Sequence, residues 1–352
     1  MKKRGIAALI AAILVAFLPM HEPHSGWFGA DPAGAAVLEV AEDQYYGARA
    51  AYNPYAEEFL LVKIRDWMDD EENGYSQILA ERLDANGNRI GELMEIMTFN
   101  NNYSAMVEIA FDPANRKYLL IVASTDETAG VCPPGDYFVL CGIWLDETGS
   151  KLGQPFVINH DEDAFLALGN GLKLAYNTVA GRFLLAYSIE PGSVGEQIRV
   201  VLLDPAGGVA YEETIDQTGY YYNFDMVYEE SESRFLVVWT SNTSGGKVLG
   251  KYVYLDPDDP LQSIKADASP WDTGGRCYNG RLAHGNGRTV LLWSADDQLT
   301  VSEVTYGGGP ALSTVLLQME DLRIDDFALT YNPGSGLFAA VWLNVLEGGE
   351  GF

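Results

Sequence analysis

Short apolar runs separated by turn residues recur along this chain, and their spacing predicts its elements. Ala51-Tyr52-Asn53-Pro54 is followed by Phe59-Leu60-Leu61-Val62, and Ala110-Phe111-Asp112-Pro113 by Tyr118-Leu119-Leu120-Ile121-Val122. Ala175-Tyr176-Asn177 precedes Phe183–Tyr187, and Val227-Tyr228-Glu229 precedes Phe235–Trp239. Ala283-His284-Gly285 with Thr289–Trp293, and Thr330-Tyr331-Asn332-Pro333 with Phe338–Trp342, complete the series. An extended run, a tight turn and a second apolar run predict a β-hairpin each time. No helical periodicity intervenes.

A second half of the unit also recurs. Leu83-Asp84-Ala85-Asn86-Gly87-Asn88 precedes Leu93–Ile96, Leu145-Asp146-Glu147-Thr148-Gly149 precedes Phe156–Ile158, and Leu203-Asp204-Pro205-Ala206-Gly207 precedes Glu213–Ile215. Leu255-Asp256-Pro257 before Ile264 is a shorter copy, and Val304–Gly309 before Val315–Leu317 a degraded one. Each unit therefore holds four short antiparallel strands. Repeated around the anchors Tyr52, Phe111, Tyr176, Tyr228, His284 and Tyr331, this predicts an all-β β-propeller with five complete blades and an incomplete sixth.

The repeat resembles the degenerate propeller repeats of secreted bacterial proteins of largely unassigned function, over roughly residues 36–352. Better-marked repeats do not fit. The lone Trp271-Asp272 lacks the Gly-His partner of a WD40 blade, Ser269–Gly274 has the wrong spacing for a sialidase Asp-box, and pairs such as Gly207-Gly208 lack the ordered Tyr and Trp of kelch repeats. The segment Ala36–Ala41 resembles an outermost strand and is expected to complete the last blade. Glu347–Phe352 reads as a loop toward a third strand, so truncation at the C-terminus is expected.

Lys2, Lys3 and Arg4 ahead of an apolar run from Ile6 to Leu18 predict a signal peptide over about residues 1–30, with cleavage between 24 and 36. The run is too short to span a bilayer, and no lipobox cysteine follows it. A secreted or cell-envelope address with no later membrane span is the expectation. A formal net charge of −28 repels phosphate backbones, which excludes nucleic acid as a partner. Hydrophobic residues at 47% and charged residues at 20% fit a folded chain. Of the three cysteines, Cys132 and Cys141 flank Pro133-Pro134-Gly135 and can form a hairpin disulfide in an oxidising compartment.

In a four-stranded repeat the first-to-second and third-to-fourth turns emerge at one end, here the hairpin end. The second-to-third loops and blade crossings emerge at the other, the crossover end. Crossover loops are long and individual, and they carry the ligand-binding candidates Trp67, Tyr103, His160, Tyr220, Tyr221, Tyr222, Trp271 and Tyr278. Aromatic platforms beside carboxylates suit a glycan or an extracellular protein. Asp66, Asp69, Asp70, Asp161 and Asp163 are candidate ligands for Ca²⁺, the one cofactor the sequence suggests, although a solvated charge run explains them as well. No H-E-x-x-H, Walker loop, G-x-S-x-G or strand-linked G-x-G-x-x-G occurs. The leading expectation is a binding module. A polysaccharide-acting hydrolase or lyase, or a structural ring of a larger surface protein, are the alternatives. The sequence assigns no catalytic residue and no oligomeric state.

Overall fold

The computed structural model describes residues 45–346 apart from 69–73, 100–105, 125–138, 161–163, 167–170, 192–195, 220, 243–244, 257–258, 260–262, 278, 296–297, 306–308, 319–321 and 333–335. The expected signal peptide, the segment Ala36–Ala41 and the tail Glu347–Phe352 lie outside the described residues.

Blade 1 is the sheet β1 (Tyr45–Asn53), β2 (Glu58–Met68), β3 (Gly74–Leu83) and β4 (Arg89–Phe99), paired in chain order. Blade 2 holds β5 (Met106–Asp112), β6 (Lys117–Ser124), β7 (Val139–Asp146) and β8 (Phe156–His160). After a short strand β9 (Ala164–Leu166), blade 3 follows as β10 (Leu172–Asn177), β11 (Arg182–Pro191), β12 (Glu196–Leu203) and β13 (Val209–Gly219), with β9 pairing to β11. Blade 4 is β14 (Tyr221–Glu229), β15 (Arg234–Ser241), β16 (Lys247–Leu255) and β17 (Ile264–Ala266), plus β18 (Trp271–Asp272) against β16. Blade 5 is β19 (Asn279–Gly285), β20 (Arg288–Ala295), β21 (Gln298–Thr305) and β22 (Gly309–Gln318). Blade 6 has two described strands, β23 (Leu322–Asn332) and β24 (Leu337–Leu346).

The first strands pack in series, β1 on β5, β5 on β10, β10 on β14, β14 on β19 and β19 on β23. They are the innermost strands of a radial, five-plus-one β-propeller, as the repeat predicts. Among the described residues no comparable packing joins β23 to β1, so the arc is open between blades 6 and 1.

Five apolar clusters fill the five joints between successive blades. Neighbouring residues of one strand enter different joints. Phe235, Val237 and Trp239 pack toward blade 3, while Leu236 and Val238 pack toward blade 5. The unbroken run Phe235–Trp239 is apolar throughout because both of its faces are dry. Burial of each large side chain contributes about 1.5–3 kcal/mol.

The turns close with side-chain oxygens. Asn53 Oδ1 accepts from the Tyr55 and Ala56 amides, and Asp112 and Asn177 do the same in blades 2 and 3. The residue entering the second strand is left-handed, with φ of 56° at Glu57, 51° at Arg116, 67° at Gly181 and 51° at Ser233. In the Leu-Asp turns, Asp84, Asp146 and Asp204 each accept from the amides two and four residues on. That is why the sequence of Asp84–Asn88 looks like a cation loop while serving as a hairpin turn.

The same turn residues fasten each blade to the next. The Tyr228 hydroxyl of blade 4 donates to Asn177 Oδ1 of blade 3 at 2.7 Å. The Tyr118 hydroxyl meets Asn53, and its burial pushes the phenol up to about 12. The Tyr176 hydroxyl meets Asp112, and burial followed by that carboxylate raises its pKa as well. In blade 5 the aromatic pair is replaced by His284 and Thr289. There the Thr289 hydroxyl donates to buried Glu229 of blade 4, whose other oxygen takes Arg234 Nε at 2.6 Å. His284 Nδ1 lies 2.8 Å from Thr289 Oγ1, so with the hydroxyl proton on Glu229 the imidazole is the donor. At the last joint the acceptor position is Gly285, because the Tyr331 ring occupies the space of a side chain: a Cβ there would lie 2.1 Å from Tyr331 Cδ1.

Two expected crossover loops are shorter in the structure. The β2–β3 ladder continues through Asp66↔Ser76, Trp67↔Tyr75 and Met68↔Gly74, supported by a 2.6 Å bond from Ser76 Oγ to Asp66, so Asp66 and Trp67 are strand residues. Tyr221 and Tyr222 pair with Ser241 and Thr240, which makes them the start of β14.

Two outcomes follow. Tyr228→Phe lowers unfolding stability by about 1 kcal/mol, at the low end for a buried bond because Asn177 Oδ1 keeps two amide donors; urea denaturation reads it, with an unchanged midpoint counting against the fastening. Burial, opposed by Glu229, holds His284 below its ordinary 6.5. The unfolded chain therefore binds the proton first as pH falls through about 6.5, so stability drops below that pH and is retained above it. His284→Tyr removes this increment, seen as a smaller difference in Tm between pH 7.5 and 5.5 than in the parent chain.

Candidate functional site

The position three residues before each anchor lies on an innermost strand and reads Arg49, Glu108, Lys173, Asp225, Arg281 and Ala328 from blade 1 to blade 6. Residues of this parity face the following blade, so each charge meets the next. Arg49 Nε lies 2.5 Å from Glu108 Oε1, Lys173 Nζ lies 3.1 Å from the same oxygen, and Lys173 reaches Asp225 Oδ1 at 3.5 Å. Asp225 Oδ2 accepts the Leu282 amide of blade 5 at 2.7 Å. The Arg281 guanidinium carries the series on, 5.8 Å from the Phe327 ring centre of blade 6. Ala328 ends the series without a charge and is exposed.

This belt of alternating charge lines the axis of the arc. Glu108, Asp225 and Lys173 are 8%, 13% and 18% exposed, whereas Arg49 at the open seam is 41% exposed. Two residues nearer the crossover end, the Asn223 and Asn279 side chains are hydrogen-bonded across blades 4 and 5. Register shifts interrupt β1 between Tyr46 and Arg49, β14 between Tyr222 and Asp225, and β23 between Ile324 and Asp326. Gly47 at φ 61° and Asn223 at φ 52° take the left-handed conformations these bulges demand. Bulges of this kind re-aim side chains at strand ends, here at the crossover mouth of the channel. The arrangement offers alternating donors and acceptors to a hydroxyl-rich ligand.

The sequence-derived candidates fall around this mouth and outside it. Trp67 at the end of β2, His160 at the end of β8, and Tyr221 and Tyr222 at the start of β14 all lie at the crossover end. Tyr103, Tyr220 and Tyr278, with Asp69, Asp70, Asp161 and Asp163, lie outside the described residues. Trp271, expected in a loop, sits in β18 as a wedge between blades 4 and 5. Its ring fills the space over Gly250, where a Cβ would be 2.1 Å from Cζ2, and rests on Gly309 at 3.1 Å. Cys141 is disulfide-bonded and buried Cys277 is a free thiol, while Cys132 lies outside the described residues. Among the described residues no group of three or more His, Cys, Asp or Glu is placed to hold a metal ion, and no helix is long and apolar enough to cross a membrane.

The sequence reading missed the belt, although the aligned anchors carried the signal: three positions upstream the charge alternates in five consecutive copies.

The chain matches no protein-family model and no curated protein sequence. Among solved structures it is similar to the NanB sialidase of Streptococcus pneumoniae, with TM-score 0.56 and 9% identity over 87% of this chain and 66% of that one. A second NanB structure, with Optactamide, gives TM-score 0.53 at 10% identity over the same shares of the two chains. The β-propeller domain of Myceliophteria thermophila Cps50 (Swd1) gives TM-score 0.45 at 10% identity, over 83% of this chain and 95% of that one. Identities this low speak to the fold alone: the protein is a β-propeller. It spans 66% of the length of the sialidase it resembles.

Replacing Glu108 by Gln strips the shared acceptor from Arg49 and Lys173 and costs about 2–3 kcal/mol, below the usual range for a buried pair because Arg49 is screened by solvent. Adding Lys173→Met to that variant recovers part of the loss. Chemical denaturation of the two variants checks this, and a single variant as stable as the parent overturns the belt's structural role.

Proposed function

We propose that the protein is a secreted or cell-envelope glycan-binding β-propeller that takes its ligand at the crossover mouth of the channel. The observation that carries this reading is the charge belt beneath that mouth, where five innermost strands present cations and anions in alternation to one space. Sugar hydroxyls both donate and accept, so an alternating lining satisfies them without a net charge on the ligand. Trp67, Tyr221 and Tyr222 at the same end supply rings of the kind that stack on sugar faces. Export rests on the basic and apolar N-terminal run, and calcium is the ion that the acidic loops around Asp69 and Asp161 would take. Glu108 and Asp225 are both engaged by cations or backbone, which suits positioning better than acid–base chemistry.

Affinity electrophoresis of the purified protein through gels containing neutral or acidic polysaccharides tests the proposal. Retention by at least one polysaccharide is expected, with Kd raised about tenfold in Tyr221→Ala/Tyr222→Ala, the loss of one good stacking contact. Absence of retention by every polysaccharide sinks the reading. Release of shortened products on incubation replaces it with the hydrolase or lyase alternative.

A further inference from the structure

The two ends of the arc are finished differently. Blade 1 turns its free face outward through alternate residues of β2. Lys63 and Arg65 stand there, where the other blades place Val122, Tyr187, Trp239, Trp293 and Trp342 at the position of Lys63. Lys63 pairs with Glu81 at 2.9 Å, and Arg89 adds a second contact to the same carboxylate at 3.6 Å. A polar outer face of this kind is how a terminal repeat is capped.

Blade 6 has no such cap. Strand β24 reads Leu-Phe-Ala-Ala-Val-Trp-Leu-Asn-Val-Leu, without a charge or a proline in its ten residues. Phe338, Ala340 and Trp342 pack inward on blade 5, and Val341 on the opposite face is 38% exposed. Its counterparts β2, β6, β11, β15 and β20 are each paired on both edges, whereas β24 pairs with β23 alone among the described residues. An uncharged edge of this length lacks every device that normally keeps strands from pairing between molecules.

Direction limits what can cover that edge. Innermost strands run from the crossover end to the hairpin end, so β24 runs back toward the crossover end and takes an antiparallel neighbour running away from it. An extended Ala36–Ala41 leading into β1 would arrive at the crossover end, parallel to β24, and cannot be that neighbour. Residues 347–352, Glu-Gly-Gly-Glu-Gly-Phe, are poor strand formers.

We infer that the free edge of β24 pairs with β24 of a second copy of this chain about a two-fold axis. Two-fold pairing of identical strands is antiparallel and self-complementary. It yields a continuous sheet β23-β24-β24-β23, restoring the four-strand count of every complete blade. Repulsion between two chains of net charge −28 opposes association, but the paired strands contribute no charge to it.

Sedimentation equilibrium on the full chain at 0.15 M salt, with hydrogen exchange of the β24 amides, tests this. A dimer with slowly exchanging β24 amides is expected. Val341→Lys sets like charges near the axis, and it should shift the chain to monomer and accelerate exchange in β24 while the exchange of β15 and β20 is unchanged. A wild-type monomer overturns the inference, and so does a dimer that Val341→Lys leaves intact. A monomer with protected β24 amides also overturns it, by showing that another segment covers the edge.

Discussion

Dry contact between blades on both faces of the middle strands is the constraint from which the rest of the structure follows. A strand such as β15 gives Phe235, Val237 and Trp239 to one joint and Leu236 and Val238 to the next, leaving it no solvated side. Polar groups can enter a joint only with a partner across it. They do so in two rows on the innermost strands: the charge three positions before the anchor, and the amide or carboxylate one position after it. Between these rows stands a small residue, Ala51, Ala110, Ala175, Val227 or Ala283, which lets the sheets approach.

These rows also give the assembly a direction. Each blade offers a polar, small, polar stripe to its successor and an apolar stripe to its predecessor, so stacking two blades in the wrong order would bury unpaired polar groups. The joint between blades 4 and 5 shows how much variation this tolerates. Glu229 stands where other blades have Asn or Asp, and a hydroxyl still arrives, from Thr289 in place of tyrosine. Where Gly285 removes the acceptor altogether, the Tyr331 ring moves onto the backbone and the joint stays filled. Packing volume is conserved at this position even when hydrogen bonding is not.

Much of this was legible in the sequence. The paired apolar runs fix the hairpins, and the Leu-Asp turns fix the third and fourth strands, because both depend on residues close in the chain. The alternation of Lys63 and Arg65 with Leu60, Val62 and Ile64 even marks blade 1 as terminal. What escaped was contact between blades: the Tyr228–Asn177 bond and the Arg49–Glu108–Lys173–Asp225 series join residues that lie a whole repeat apart. The placement of aromatic residues at the crossover end was misjudged for a related reason. Strand ladders there extend as far as their partners allow, so Trp67, Tyr221 and Tyr222 belong to strands, and Trp271 is drawn into a joint by the gap that Gly250 and Gly309 leave.

The belt therefore carries two duties that pull in different directions. Its charges are engaged with one another along the joints, which holds the innermost strands in register but leaves only part of each group for a ligand. A ligand that displaced Lys173 from Glu108 and Asp225 would have to replace both contacts in a space where these side chains are largely buried. Selection among ligands then falls to groups outside the joints. The bulges of β1, β14 and β23 occur at the start of those strands, beyond the belt and toward the crossover mouth, where the backbone can vary without disturbing a joint. In this architecture the conserved geometry of the joints sets the position of the mouth, and the irregular strand starts around it set what the mouth can recognise.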